Sequence, residues 1–121
     1  MIDYNEPRNQ LKEMRTEMVR AYESINPTKL RERIKELEAQ QNSDGFWDDT
    51  ENAKKVSKEI SQLQSKIEKF EKMIARIDDA LDTVDIVELE GDESEDEKIL
   101  GTIHDLSEAV ESLSLVTLLS G

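Results

Sequence analysis

The sequence has no cysteine and only two prolines, four glycines and one histidine among its 121 residues. Without cysteine, the chain can form neither disulfides nor thiolate metal sites. The first 20 residues contain no apolar run of the kind that marks a secretory signal. Apolar runs elsewhere are far shorter than the roughly 20 residues of a membrane span. We therefore expect a cytoplasmic protein with no membrane contact.

Basic residues are almost absent from the C-terminal third of the chain. Residues 1–77 carry 15 acidic and 15 basic side chains, whereas residues 78–121 carry 14 acidic side chains and one basic one, Lys98. The whole net charge of -13 therefore lies in the last 44 residues. A field of this sign repels phosphate backbones. This region is either a solvated acidic face or a docking surface for a basic partner.

Helices are predicted throughout, because charged residues make up 37% of the chain and aromatic residues only 4%. Asn5, followed by Glu6 and Pro7, is predicted to cap the first helix. Asn26 and Pro27 are predicted to end that helix and begin a second, shorter one. Residues 42–45 then end the second helix.

The clearest pattern lies in the third segment, where apolar residues are spaced alternately by three and four positions. This spacing predicts a helix of about 40 residues, roughly 60 Å long, which must pack against other helices. The apolar positions are Ala53, Val56, Ile60, Leu63, Ile67, Phe70, Ile74, Ile77, Leu81 and Val84.

A fourth helix is predicted after a short turn at residues 91–94, with Ser94 as its N-cap. A turn this short requires the third and fourth helices to form an antiparallel hairpin. We therefore predict one all-α domain over residues 1–121. Its expected architecture is an elongated helical bundle built on a long antiparallel coiled-coil hairpin, with two shorter N-terminal helices. The apolar stripe of the fourth helix comprises Ile99, Ile103, Leu106, Val110 and Leu113.

No catalytic, cofactor-binding or metal-binding constellation is predicted, so we expect no enzyme activity and no cofactor. His104 is the sole histidine, and Gly101 stands three positions before it, where the Glu-x-x-His pattern of di-iron bundles needs a glutamate. The run from Asp92 to Asp96 resembles the start of a calcium loop. However, Glu97 stands where that loop needs glycine, and Ile103 stands where it needs an acid.

Basic residues cluster only on the second helix and at the start of the third, interspersed with glutamates. Either they belong to a solvated face of mixed charge or they contact RNA, including ribosomal RNA. The residues of this candidate basic contact face are Lys29, Arg31, Arg33, Lys35, Lys54 and Lys55.

Phe46 and Trp47 form a bulky aromatic pair in a predicted loop, followed by Asp48 and Asp49. A capping box of Asp48 with Glu51 is predicted, with Asp49 or Thr50 as alternative caps. We expect the pair to fold back on the third helix with Trp47 packed, so that Trp47→Ala costs about 3–5 kcal/mol. An exposed pair would instead indicate a protein-binding anchor.

The C-terminal segment places four apolar residues in a five-residue window, too many for a single helical stripe. We expect the natural protein to continue past Gly121, with its next domain covering them. In isolation they should fray, pack in a crystal contact or drive a weak homodimer. These residues are Leu115, Val116, Leu118 and Leu119.

Several of these features together resemble the N-terminal domain of bacterial peptide chain release factor 2, over essentially the whole chain. The most specific of them are the Phe-Trp loop and the Leu-Leu-Ser-Gly end. The residues that carry the resemblance are Leu37, Glu38, Phe46, Trp47, Asp48, Asp49, Ala53, Val56, Lys58, Glu59 and residues 118–121.

This resemblance implies a role in translation termination at UGA and UAA stop codons. In that family, hydrolysis depends on a Gly-Gly-Gln loop and codon reading on a Ser-Pro-Phe element, and neither tripeptide occurs in this chain. The resemblance also implies contact with the GTPase-associated region of the large ribosomal subunit and functional interplay with release factor 3. The alternative is a free-standing coiled-coil scaffold or a chaperone-like helical hairpin.

Overall fold

The structure, a computed structural model, describes residues 2–120. Four helices contain nearly all of them: α1 (Asn5–Ser24), α2 (Pro27–Gln41), α3 (Thr50–Glu90) and α4 (Asp96–Ser120). Short 3₁₀ turns precede the last two helices, at Phe46–Asp48 and Glu93–Glu95. Residues 2–120 contain no strand. The all-α prediction is confirmed. Within the same residues, no helix is both long and apolar enough to cross a membrane.

Of the predicted N-caps of the first two helices, one is observed and the other is not. Asn26 caps α2 as predicted, and its side-chain oxygen accepts a hydrogen bond from the Lys29 amide at 3.4 Å. Asn5 does not cap α1 and lies inside its first turn. Instead, Asp3 accepts from the Asn5 amide through its carboxylate (3.0 Å) and from the Glu6 amide through its carbonyl (3.2 Å). Aspartate caps as well as asparagine does, so the upstream residue takes this role.

The start of α4 also differs from the prediction. Ser94 lies inside the 3₁₀ turn rather than at the N-cap, and α4 begins at Asp96. The carboxylate of Asp92 accepts hydrogen bonds from both the amide (3.1 Å) and the hydroxyl of Ser94. An aspartate two residues ahead of a free amide forms such a local turn readily. The predicted Ser94 cap is therefore wrong.

The chain divides into two compact units, and the divisions fall within α1 and within α3. The α2 unit comprises Tyr22–Glu71. The hairpin unit comprises Met1–Ala21 and Lys72–Gly121.

In the α2 unit, α2 packs antiparallel to the first part of α3. Arg31 bonds to Glu71 at 2.9 Å and Arg33 bonds to Glu59 at 2.8 Å, so positions rise along α2 as they fall along α3. Apolar residues of α2 meet the predicted apolar stripe of α3 between the two helices. The buried core of this unit comprises Ile34, Leu37, Phe46, Ala53, Val56, Ile60 and Ile67.

In the hairpin unit, α1 runs antiparallel to the last part of α3. The Arg8 guanidinium bonds to Glu88 at 2.7 Å, and Arg15 bonds to Asp78 at 2.7 Å. The charge-assisted bonds of Arg8 also reach Asp85, at 3.0 Å. Part of the acidic C-terminal third is therefore neutralised by α1, which composition alone does not reveal.

The same unit contains the predicted hairpin. The Tyr4 hydroxyl donates to Asp96 at 2.7 Å near the start of α4, and the Ser114 hydroxyl donates to Glu17 at 3.0 Å near its end. Because positions rise together in α1 and α4, these helices are parallel. Since α1 is antiparallel to α3, the α3–α4 hairpin is antiparallel, as predicted.

The buried face of α3 shifts in the hairpin unit relative to the predicted stripe. Met73, Ala80 and Val87 are buried, whereas Ile74 and Leu81, two members of the predicted stripe, are half-buried. This part of α3 has two helical neighbours, α1 and α4, so its buried face is wider than a single heptad stripe. A straight helix also drifts relative to a heptad repeat.

Tyr4 is expected to titrate well above its ordinary range. Its hydrogen bond to Asp96, burial and nearby acids raise its pKa from 10.0 to about 12. The folded state therefore retains a proton that the unfolded chain loses, so stability from this bond is complete below pH 10 and is lost as pH rises toward 12. Phenolate absorbance of a Tyr22→Phe variant isolates Tyr4. A midpoint near 10 in a chain still helical by circular dichroism would contradict this.

Candidate partner-contact site

The segment before α3 is a fixed turn rather than a loose loop. Gly45 has a φ of 77°, in the left-handed region that glycine adopts without strain. The Phe46 amide donates to the Ser43 carbonyl at 3.3 Å, and the Asp48 amide donates to the Gly45 carbonyl at 3.2 Å. These bonds close the 3₁₀ turn that carries the aromatic pair.

Phe46 and Trp47 have different environments within this turn. Phe46 is 6% exposed and belongs to the core of the α2 unit, whereas Trp47 is 63% exposed. Their rings meet edge to face, with centroids 4.8 Å apart and an interplanar angle of 87°. Trp47 therefore rests against a buried ring while most of its own surface faces solvent.

The prediction that Trp47 is packed is wrong, and Phe46 alone fills the packing role. A 3₁₀ helix has three residues per turn, so neighbouring side chains point about 120° apart. Adjacent side chains in such a turn therefore face different directions, and here only Phe46 enters the core. The expected cost of 3–5 kcal/mol on truncation to alanine therefore belongs to Phe46 and not to Trp47.

Asp49 is the cap of α3, one of the alternatives that the sequence left open. Its carboxylate accepts a hydrogen bond from the Asn52 amide at 3.1 Å, and its carbonyl accepts from the Ala53 amide at 2.9 Å. Asp48 lies in the 3₁₀ turn, and a Cβ added to Gly45 would lie 3.7 Å from its carboxylate. Its charge is thus held beside the turn, while Asp49 connects the turn to α3.

The segment around Trp47 carries acidic side chains and no basic ones. Residues 36–53 carry six acidic side chains and no basic one. The four acidic residues nearest to the tryptophan, all exposed, are Asp44, Asp48, Asp49 and Glu51. The turn therefore presents an exposed indole within a negatively charged segment.

The two arginines of the candidate basic contact face are hydrogen-bonded within the α2 unit. Arg31 donates to Glu71 and to the Tyr22 hydroxyl, both at 2.9 Å. Arg33 bonds to Glu59, and this hydrogen bond lowers the pKa of the Glu59 carboxyl below its ordinary value. At 100° per residue, positions two apart on α2 lie about 200° apart, so the two arginines flank the α2–α3 contact on opposite sides.

The remaining members of the candidate basic contact face are exposed lysines: Lys29, Lys35, Lys54 and Lys55. Lysine is a compact, strongly hydrated charge suited to phosphate contacts without fixed geometry. The sequence identified these residues by type, but the pairing of the two arginines depends on α3 residues far along the chain.

No candidate metal site lies in the part of the chain that the structure describes. No group of three or more histidine, cysteine, aspartate or glutamate side chains there is arranged to hold a metal ion. His104 is exposed on α4, with its Nε2 atom 3.2 Å from the Glu108 carboxylate one turn away. It is a helix-surface residue with an ordinary i,i+4 neighbour.

Comparison with known proteins identifies the family. The PCRF domain model matches residues 30–121. The chain belongs to the PCRF domain family. Its similarity to peptide chain release factor 2 extends over most of its length, which confirms the resemblance to that family.

Three relatives, each named peptide chain release factor 2, illustrate this similarity. The protein from Corynebacterium aurimucosum is 35% identical over 111 residues, covering 92% of this chain and 30% of the relative. The Clostridium perfringens protein is 33% identical over 117 residues, covering 97% and 30%. The Acidothermus cellulolyticus protein is 31% identical over 116 residues, covering 96% and 31%. The chain thus spans about 30% of the length of these relatives. No solved structure matches it.

Proposed function

We propose that this PCRF domain acts in translation termination as the N-terminal domain of a class I peptide chain release factor of type 2, in the cytoplasm. The match to the PCRF domain over residues 30–121 carries the proposal. The release factor 2 relatives, similar over more than nine tenths of the chain, support it. The whole factor would act at UGA and UAA codons.

Within such a factor, we assign this domain to binding rather than to catalysis. The chain contains neither a Gly-Gly-Gln nor a Ser-Pro-Phe tripeptide. A helical bundle with one exposed histidine offers no convergent acid, base and nucleophile. The domain would instead orient the factor against the GTPase-associated region of the large ribosomal subunit and support its interplay with release factor 3.

The exposed lysines give this contact a physical basis. The α2 unit has no large charge excess, and four of its lysines point into solvent. They are Lys29 and Lys35 on α2 and Lys54 and Lys55 on α3. Each lysine that neutralises a phosphate releases a counterion, so binding through them weakens as salt rises. The acidic hairpin unit is less suited to RNA because its field repels phosphates.

A domain replacement tests this function. The matching segment of the Corynebacterium aurimucosum factor is exchanged for this chain, and peptide release is measured on ribosomes programmed with UGA, UAA or UAG. We expect the chimera to release peptide at UGA and UAA, and this chain alone to give no release above background. A factor lacking the segment and one carrying an unrelated helical bundle are the controls. A chimera no better than these controls would contradict the proposal.

A free-standing scaffold remains a second candidate because apolar side chains are exposed on the last turns of α4. Leu118 is 78% exposed and Leu119 is 86% exposed, and Leu115 and Val116 are more than half exposed. Gly121, the last residue of the Leu-Leu-Ser-Gly segment, lies outside the described residues. A scaffold would bury these side chains by association of two copies.

Sedimentation across a salt series tests this candidate. The acidic residues of the hairpin unit repel a second copy, and salt screens this repulsion. Self-association through α4 should therefore strengthen with ionic strength and be abolished by Leu118→Glu. A monomer at every salt concentration, with Leu118→Glu indistinguishable from the parent, would reject the scaffold.

A further inference from the structure

The position of the exposed Trp47 is set by neighbouring residues of the turn. Phe46 anchors the turn in the core, Gly45 provides the left-handed backbone, and Asp49 joins the turn to α3. An indole fixed in this way loses little conformational freedom when a partner covers it. Tryptophan is also among the residues that most often dominate protein interfaces.

The charge around Trp47 selects the kind of partner. The exposed carboxylates of Asp44, Asp48 and Glu51 lie within four positions of the indole, and residues 36–53 contain no basic side chain. Cations are attracted to an indole face by its quadrupole, and arginine is the commoner partner. A nucleic acid could stack a base on the indole, but its phosphates would meet the same carboxylates.

We propose that Trp47, Asp44, Asp48 and Glu51 form a docking site for a basic segment of a protein partner. An arginine of that segment would stack on the indole, and neighbouring basic side chains would pair with the carboxylates. This inference deepens the proposed function. It rests on that function only in placing the partner on the ribosome. The chemistry of recognition rests on the turn itself.

The first test uses Trp47 as its own reporter, because it is the only tryptophan in the chain. A peptide of alternating arginine and glycine is added and tryptophan emission is followed. We expect a saturable change, with affinity roughly tenfold weaker in the Asp44→Asn/Asp48→Asn variant, because this variant loses two of the charges that pair with the peptide. Asp82→Asn, an exposed acid of the hairpin unit, is the matched control and should bind like the parent.

Three results of this titration would overturn the proposal. One is unchanged emission when the peptide binds elsewhere on the chain. The second is equal weakening by Asp82→Asn, which would indicate nonspecific attraction. The third is a stronger response to oligouridylate than to the arginine peptide, which would indicate an RNA-stacking site.

The second test locates the partner on the ribosome. A photoreactive benzophenone amino acid replaces Thr50, three positions after Trp47, or Asp82 as the control position, and purified ribosomes are irradiated with each protein. A crosslink from position 50 to an arginine- or lysine-rich protein segment supports the proposal. Crosslinking from position 82 alone, or from position 50 to ribosomal RNA, overturns it. If neither protein binds the ribosome, the proposed ribosomal function is contradicted. The peptide titration then decides by itself whether the turn binds a basic segment.

Discussion

Phe46→Ala is expected to lower the free energy of unfolding by about 3–5 kcal/mol, the range for large aromatic truncations in a core. Phe46 is 6% exposed and packs among the apolar residues of α2 and the first turns of α3. Its removal leaves a cavity where the 3₁₀ turn joins the core. Urea denaturation followed by circular dichroism measures the loss, because the helical signal is large and independent of the aromatic rings.

Trp47→Ala is the matched control for this prediction. The side chain is larger than that of Phe46, but it is 63% exposed and its main aromatic contact is the edge-to-face pair. Its truncation should cost no more than about 1 kcal/mol, the order of one aromatic pair. An equal or greater loss for Trp47→Ala would show that both rings belong to the core and would remove the basis for the docking site.

The contrast between these two residues marks a limit of sequence reasoning. Periodicity predicted four helices and an antiparallel hairpin, because apolar spacing over many residues records which face of a helix is buried. The turn before α3 is only three residues long and has no period. Which of the two adjacent aromatic residues enters the core depends on where the turn begins. The left-handed backbone at Gly45 and the cap at Asp49 set that start, and both are seen only in the structure.

Charge pairing shows a similar limit. The sequence shows that Arg31 and Arg33 are basic, but not that each bonds to a glutamate of α3, 40 and 26 positions away. The candidate basic contact face therefore reduces to its lysines. Part of the acidic excess of the C-terminal third is likewise neutralised, since Arg8 and Arg15 of α1 form ion pairs with carboxylates of α3. Composition gives the charges present, and only packing decides which remain free for a partner.

The second substitution with a large expected effect on stability lies in the core of the hairpin unit, where α3 contacts both α1 and α4. Ile77 lies at the centre of this face and is 0% exposed. Leu89, twelve residues later on the same helix, is 89% exposed. Both are apolar residues of similar size, so the same substitution at the two positions isolates the effect of burial.

We expect Ile77→Asp to unfold the hairpin unit at room temperature. A carboxylate without a partner costs several kcal/mol to bury, and about 1.5–3 kcal/mol of apolar burial is lost with the isoleucine. Together these costs approach the whole stability of a small domain, about 5–15 kcal/mol. Leu89→Asp should change stability by about 0.5 kcal/mol or less. Thermal melts followed by circular dichroism compare the two. Similar melting of both variants would mean that Ile77 is not a core residue, and the assigned face of α3 would then be wrong.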